Sequence, residues 1–248
     1  MAYQIITSRQ NPELLDKTHR KIGREWPEFM LNDPVANLLD NCYTDLPDYQ
    51  FILIGEDQET PVALGNSIPI AWHDAVENLP ENGWDWALQK GIDDFYSGNK
   101  PNLLCALQIV VFGNNRGKGI SSHAVEAMRQ IGIKHGLNKL IAPVRPSRKS
   151  EFPELPIDEY ILKSNGLGFP YDPWLRVHVK IGAKIIKPCH HAMRITGTIA
   201  EWENWTGIKF AESGRYVIPG ALVPVEINLE NNLGIYIEPN VWMVHELR

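Results

Sequence analysis

The turn Gly113-Asn114-Asn115-Arg116-Gly117-Lys118-Gly119 gathers glycines and two cations into a few residues. Glycine adopts conformations closed to other residues and lets an anion come close to bare N–H groups. Before the turn, Leu103 to Phe112 is nearly continuous apolar sequence, as in a strand buried on both faces. After it, Ile120, Ala124, Ala127, Met128 and Ile131 recur at helical spacing until Gly136 supplies a stop. Strand, glycine turn, helix aims the unpaired donors of a helix's first turn, and the positive end of its dipole, at a phosphate. Arg116 and Lys118 add positive charge at the same place.

Two familiar phosphate loops do not fit. A P-loop needs a longer spacer, since Gly117-Lys118 follows Gly113 too soon and Gly119 stands where a hydroxyl belongs. A dinucleotide fingerprint would need a glycine at Ser122 and a first-strand βαβ context. What remains resembles the pyrophosphate loop of the GCN5-related N-acetyltransferases, Gln/Arg-x-x-Gly-x-Gly/Ala, written here as Asn114-x-x-Gly117-x-Gly119. Asn114 departs from the usual Gln or Arg, while the sub-pattern Arg-Gly-x-Gly-Ile is intact from Arg116 to Ile120. On the residues alone, a structural glycine-rich connection in an unrelated α/β protein is the other account.

The resemblance implies an α/β (α+β) fold with a mixed central sheet and helices on both faces, here with an extended β-rich C-terminal part. It implies acetyl-CoA, or another acyl-CoA, as co-substrate, a small-molecule amine as acceptor, and no metal. By the same resemblance, the diphosphate lies on the loop formed by Asn114, Arg116, Gly117, Lys118, Gly119, Ile120 and Ser121. The pantetheine arm runs where the fourth and fifth strands part, along Ile109, Val110 and Val111, with the Val111 N–H stabilising the oxyanion. The family's Asn at the end of the fifth strand is absent, and Ser147 is the nearest substitute. Leu175 to Ala183 resembles the fourth-helix pattern, with His178 where a Tyr often protonates the departing thiolate. A histidine suits that task near neutral pH, and a merely packed histidine is the alternative. Gln108 stands where many members carry a Glu base. The base is therefore open among a water chain, His178 and an acid such as Glu151. Arg145, Arg148 and Lys149 could meet the coenzyme's phosphates or form a solvated loop.

The elements that must position these residues read in the family's order. Tyr3 to Thr7 is a first strand. Asn11-Pro12 opens a helix with Leu15, Ile22 and Trp26 on one face, stopped by Pro27. Asp33-Pro34 opens another, with Val35, Leu38, Leu39 and Cys42 inward. Tyr49 to Gly55 and Val62 to Trp72 are strands joined at Glu56-Asp57-Gln58-Glu59. A helix over Trp84 to Tyr96 follows; Trp72, Trp84 and Trp86 are wall residues of an acceptor site, or else core or a dimer contact. Asn138 to Val144 is the fifth strand, Ile157 to Lys163 a short helix, and Trp174 to Ile181 a helix capped by Asp172-Pro173. The tail reads as separate strands, 184–186, 194–199, 215–218, 221–229, 234–237 and 241–245, with a helix over Ala200 to Thr206 and a turn at Glu230-Asn231-Asn232. The expectation is one domain over 1–248, with insertions near 73–100 and 150–171 and an extension near 184–248.

Composition bounds the rest. The 248 residues are 44% hydrophobic and 22% charged, as in a globular protein able to bury a substantial core. A net charge of -6 argues against a nucleic-acid partner and mildly favours a cationic acceptor. No run reaches membrane-span length, and MAYQIITSRQ reads as neither a signal nor a transit peptide. Scattered Cys42, Cys105 and Cys189 fit reduced thiols in a cytoplasmic protein. Cys189-His190-His191 lacks a second pair of ligands at finger spacing, so it reads as structure or surface. The leading reading is acetyl transfer from acetyl-CoA to a small amine by direct attack; a non-catalytic acyl-CoA-binding module is the alternative. The tail could extend the sheet, cover the acceptor cleft or form a homodimer surface.

Overall fold

The computed structural model describes residues 3–20, 22–55 and 60–247, with only the backbone described at Arg24 and Asn114. The turn expected at Glu56-Asp57-Gln58-Glu59 lies outside the described residues. Strands β1 (Gln4–Thr7), β2 (Gln50–Ile54), β3 (Pro61–Ile70) and β4 (Leu103–Val111) form an antiparallel run. β5 (Lys139–Val144) then pairs parallel with β4. On its other edge β5 pairs with the long last strand β9 (Leu233–Glu246), which also carries β6 (Lys184–Gly197) and β8 (Val225–Asn228), and β8 carries β7 (Gly214–Tyr216). Among the described residues the sheet is therefore mixed and nine-stranded, and the C-terminal strands belong to it.

Side-chain alternation along β4 sends its residues to two cores. Leu103, Cys105 and Leu107 pack with Trp84, Leu88 and Ile92 of α3 (Gly83–Ser97). Leu104 packs on the opposite face with Ile120, Ala124, Met128 and Ile131 of α4 (Ile120–Lys134). The spacing that predicted α4 is thus the spacing of its buried stripe. Helices α1 (Pro12–His19) and α2 (Leu39–Asp45) share the face of α3, while α6 (Pro173–Lys180) joins α4. Two small helices, α5 (Ile157–Tyr160) and α7 (Ile199–Thr206), complete the set.

Several expected boundaries moved. The first helix ends at His19, and Ile22–Glu25 forms a separate 3-10 turn before Pro27. The tail strands expected as separate pieces fuse into β6 and β9. Within β6, Pro188 is accommodated between two register shifts against β9. Of the three tryptophans read as acceptor wall or as core, Trp84 lines the large cleft, while Trp72 and Trp86 stack edge-on and Trp86 meets Trp242.

His190 on β6 fastens α5 and the turn before α3 by bonds of 2.7 Å to Glu81 and 2.8 Å to Asp158. The bonds to Asp158 and Glu81 raise its pKa above the ordinary 6.5. A raised folded value adds stability that is whole below the unfolded value and fades as pH climbs through the folded one. The melting-temperature gap between wild type and His190→Gln is expected to be widest at mildly acidic pH and to close at mildly alkaline pH.

Candidate active site

β4 and β5 pair only through Leu103↔Lys139, Leu104↔Leu140 and Cys105↔Ile141. Beyond that point β5 stays with β9 and leaves β4, because its other edge is fully laddered from Lys139 to Val144. The strands diverge around a cleft of about 1130 Å³. Ala106 to Ile109 and Val111 line one side, Ala142 to Arg145 the other, and Ser121, Ser147, Trp174 and His178 the end beside α4 and α6.

The free edge of β4 has a defined polarity. The Phe112 N–H donates to Val62 O at 3.0 Å, so alternation turns the N–H groups of Val111 and Ile109 away from β3 and into the gap. By the same alternation Val110 points its N–H at β3, and its side chain is buried with Leu15, Ile22 and Ile54. Val110 is therefore removed from the expected binding set. A register shift between Asn66 and Ser67 leaves Leu107 as an extra residue on β4, and its carbonyl accepts the Trp84 indole N–H at 2.7 Å.

The glycine turn is open. Gly113, Gly117 and Gly119 have φ of +45°, +78° and +78°, and a Cβ added at any of them would meet nothing within 4 Å. Among the described residues, the N–H groups of Gly117, Lys118, Gly119, Ile120 and Ser121 have no acceptor. Five donors at the start of a fifteen-residue helix are what an anionic ligand requires. Arg116 corrects the expected start of this run: its N–H donates to Gly113 O at 3.3 Å, and its guanidinium is folded onto Glu25. Lys118 is exposed and forms no ion pair among the described residues. Ile120 offers only backbone, since its side chain is core. The side chain of Asn114 lies outside the described residues.

α6 is held against this end of the cleft by Asp172. Its Oδ1 accepts from the Trp174 and Leu175 N–H groups, and its Oδ2 from the Arg148 N–H and the Tyr160 hydroxyl. Ser147 Oγ reaches the same carboxylate at 3.4 Å from the rim of the cleft. His178, one turn into the helix, is buried, with Nδ1 2.9 Å from His245 Nε2 and no partner on its own Nε2. Burial, then the neighbouring His245, pushes its pKa down to about 3. So low a value keeps it a neutral imidazole near neutral pH, with an N–H to offer and no charge of its own.

The basic triplet after β5 is spent internally. Arg145 bonds Glu238 and Gly220 O, Arg148 bonds Glu151, and the buried Lys149 ammonium donates to the carbonyls of Phe152 and Leu222. Glu151, one of the expected bases, is thus paired and outside the cleft lining. The sequence reading missed the opposite wall, where Asp16, His19, Asp40 and Tyr43 line the cleft from α1 and α2.

No protein-family model matches the chain. The chain is 33% identical over 276 residues to an arginine N-acetyltransferase of Aspergillus versicolor, covering 99% of this chain and 94% of that protein. Its fold is similar to that of the loading GNATL domain of CurA from Lyngbya majuscula, with a TM-score of 0.59 and 18% identity over 100% of this chain and 98% of that one. A GphF GNAT-like decarboxylase in complex with isobutyryl-CoA gives a TM-score of 0.57 and 18% identity over 99% of this chain and 100% of that one.

Proposed function

The chain belongs to the GCN5-related N-acetyltransferase superfamily, and from that premise we propose that it transfers an acetyl group from acetyl-CoA to the amine of arginine or a closely similar cationic small molecule. The observation that carries the proposal is the parting of β4 and β5 beside the open glycine turn. The diphosphate takes the N–H groups of Gly117 to Ser121. The pantetheine enters the gap and pairs with the free edge at Ile109 and Val111, past Ser147. The Val111 N–H points into the gap and polarises the thioester carbonyl, then stabilises the tetrahedral oxyanion.

Chemistry proceeds by direct attack. The amine nitrogen forms the new bond to the acyl carbon, the C–S bond breaks, and coenzyme A leaves as a thiolate that takes up a proton. His178 acts on that sulfur as a neutral donor. With His178 Nδ1 accepting from His245 Nε2–H, its own Nε2–H is left to hydrogen-bond the thiolate. Holding both substrates in one cleft supplies much of the rate. Arginine as acceptor is supported by the relative's activity and by the protein's net charge of -6.

The test is incubation with acetyl-CoA and arginine, reading free thiol and the mass of the product. Thiol release with one acetyl group gained by arginine is expected. Saturable coenzyme A binding without turnover on arginine or other amines would favour the binding-module reading.

A further inference from the structure

The transfer described above needs a group to take the amine's proton, and Gln108 cannot be that group. We propose that Tyr43, His19 and Asp40 form a proton relay whose outer member, the Tyr43 hydroxyl, accepts the proton of the attacking amine. The inference rests on the acetyl-transfer reading of the cleft.

The three residues are joined in a line. Tyr43 Oη is 2.9 Å from His19 Nδ1, and His19 Nε2 is 3.2 Å from Asp40 Oδ1. The network fixes the direction of the protons. Asn66 Nδ2 donates to Tyr43 Oη at 2.7 Å, so the phenol hydrogen turns to His19 Nδ1 and His19 Nε2–H turns to Asp40. One lone pair on Tyr43 Oη is then left for an incoming N–H. Asn66 is itself oriented by Gln50 Oε1 at 3.1 Å.

The relay also lies beside the Gln108 position of β4. His19, Asp40, Tyr43 and Gln108 all line the cleft. Asn66, which holds the phenol, is the cross-strand partner of Gln108, next to the extra residue Leu107 on β4. Tyr43 packs on the same face of the sheet as Val110, Leu64 and Ile52. That is the face opposite α4, so an amine arriving from this wall meets the thioester from the side away from the glycine turn.

The step balances. The bound ammonium gives one proton to Tyr43 Oη while the phenol's own proton moves to His19 Nδ1. The freed lone pair then forms the C–N bond, and the proton the nitrogen still sheds ends on the departing thiolate as the C–S bond breaks. The imidazolium is stabilised by Asp40, and it returns its proton to solvent after product leaves. Burial raises the Tyr43 pKa, so the group works as a protonated conduit and not as a stored phenolate. Asp40, Asp16 and the Cys42 thiol are the titratable groups acting on it, and Asp16 is paired with Arg20.

The experiment measures kcat/KM against pH for wild type, Tyr43→Phe and His19→Gln, using acetyl-CoA and arginine, with coenzyme A affinity and melting temperature measured alongside. Tyr43→Phe keeps the ring that lies 4.5 Å from the His19 ring and removes a single oxygen. At neutral pH each variant is expected to lose on the order of a hundredfold or more in kcat/KM with coenzyme A affinity unchanged. The loss is expected to shrink above the pKa of the acceptor amine, where the amine arrives already deprotonated and its lone pair is free; a structural defect would not recover in that way. A wild type that turns over, with a Tyr43→Phe variant within about threefold of it at every pH, would overturn the relay alone. A wild type that binds coenzyme A and acetylates no amine would overturn the transfer reading, and the relay with it.

Discussion

A Gly119→Glu variant is expected to lose measurable coenzyme A binding while remaining folded. Gly119 precedes α4 with φ of +78° and open space where a side chain would begin. A glutamate therefore has room for its side chain at the cost of backbone strain, and its carboxylate reaches into the space in front of the donors from Gly117 to Ser121. It would take those N–H groups for itself and repel a diphosphate. Each hydrogen bond to a charged group contributes about 1.5–3 kcal/mol. Losing two of them lowers affinity by roughly a hundredfold to ten-thousandfold, since each 1.4 kcal/mol is a factor of ten. Gly119→Ala separates charge from backbone strain: it carries the left-handed penalty of about 1–2 kcal/mol and leaves the donors free. Titration calorimetry with coenzyme A is expected to rank wild type and Gly119→Ala close together, with Gly119→Glu far below. Retained affinity in Gly119→Glu would remove the turn from the binding site.

That turn was legible because everything it needs lies within one short stretch of chain. The strand before it, the glycines and the stripe of α4 are all local patterns, and the parting of β4 from β5 followed from the family they resemble. The Tyr43–His19–Asp40 line was not legible in this way. His19 closes α1 and Tyr43 lies in α2, 24 residues on, and neither stands in a recognisable spacing. Only the docking of both helices over β3, where Asn66 meets the phenol, brings them together.

The same limit explains the misread cations. Arg145 and Lys149 sit in a run that looks free to meet a ligand. Their partners, Glu238 and Leu222, are 93 and 73 residues further on, so no local pattern announces them. The tail strands were misread in the opposite sense. They read as short pieces, but β6 and β9 form along each other for their whole length and take up the irregularity around Pro188 in shifted register. A long pairing partner outweighs a local break.

The pair in the β5–β9 wall of the cleft offers the second large effect. Glu238 is fully buried on β9, and Arg145 Nε lies 3.0 and 2.9 Å from its two carboxylate oxygens. The Tyr236 hydroxyl donates to the same carboxylate, and the guanidinium also reaches Gly220 O and lies over the Trp26 ring. Arg145→Met leaves a buried carboxylate with neutral donors such as the Tyr236 hydroxyl and no cation to compensate it. Breaking a buried pair from one side costs about 3–5 kcal/mol, a large fraction of the stability of a typical domain. Urea denaturation is expected to show a fall of that size for Arg145→Met and a smaller one for the double variant Arg145→Met/Glu238→Met, because removing both charges leaves none unpaired. If the single and double variants fell equally, the loss would belong to the packing of the Arg145 side chain against Trp26 and not to its charge.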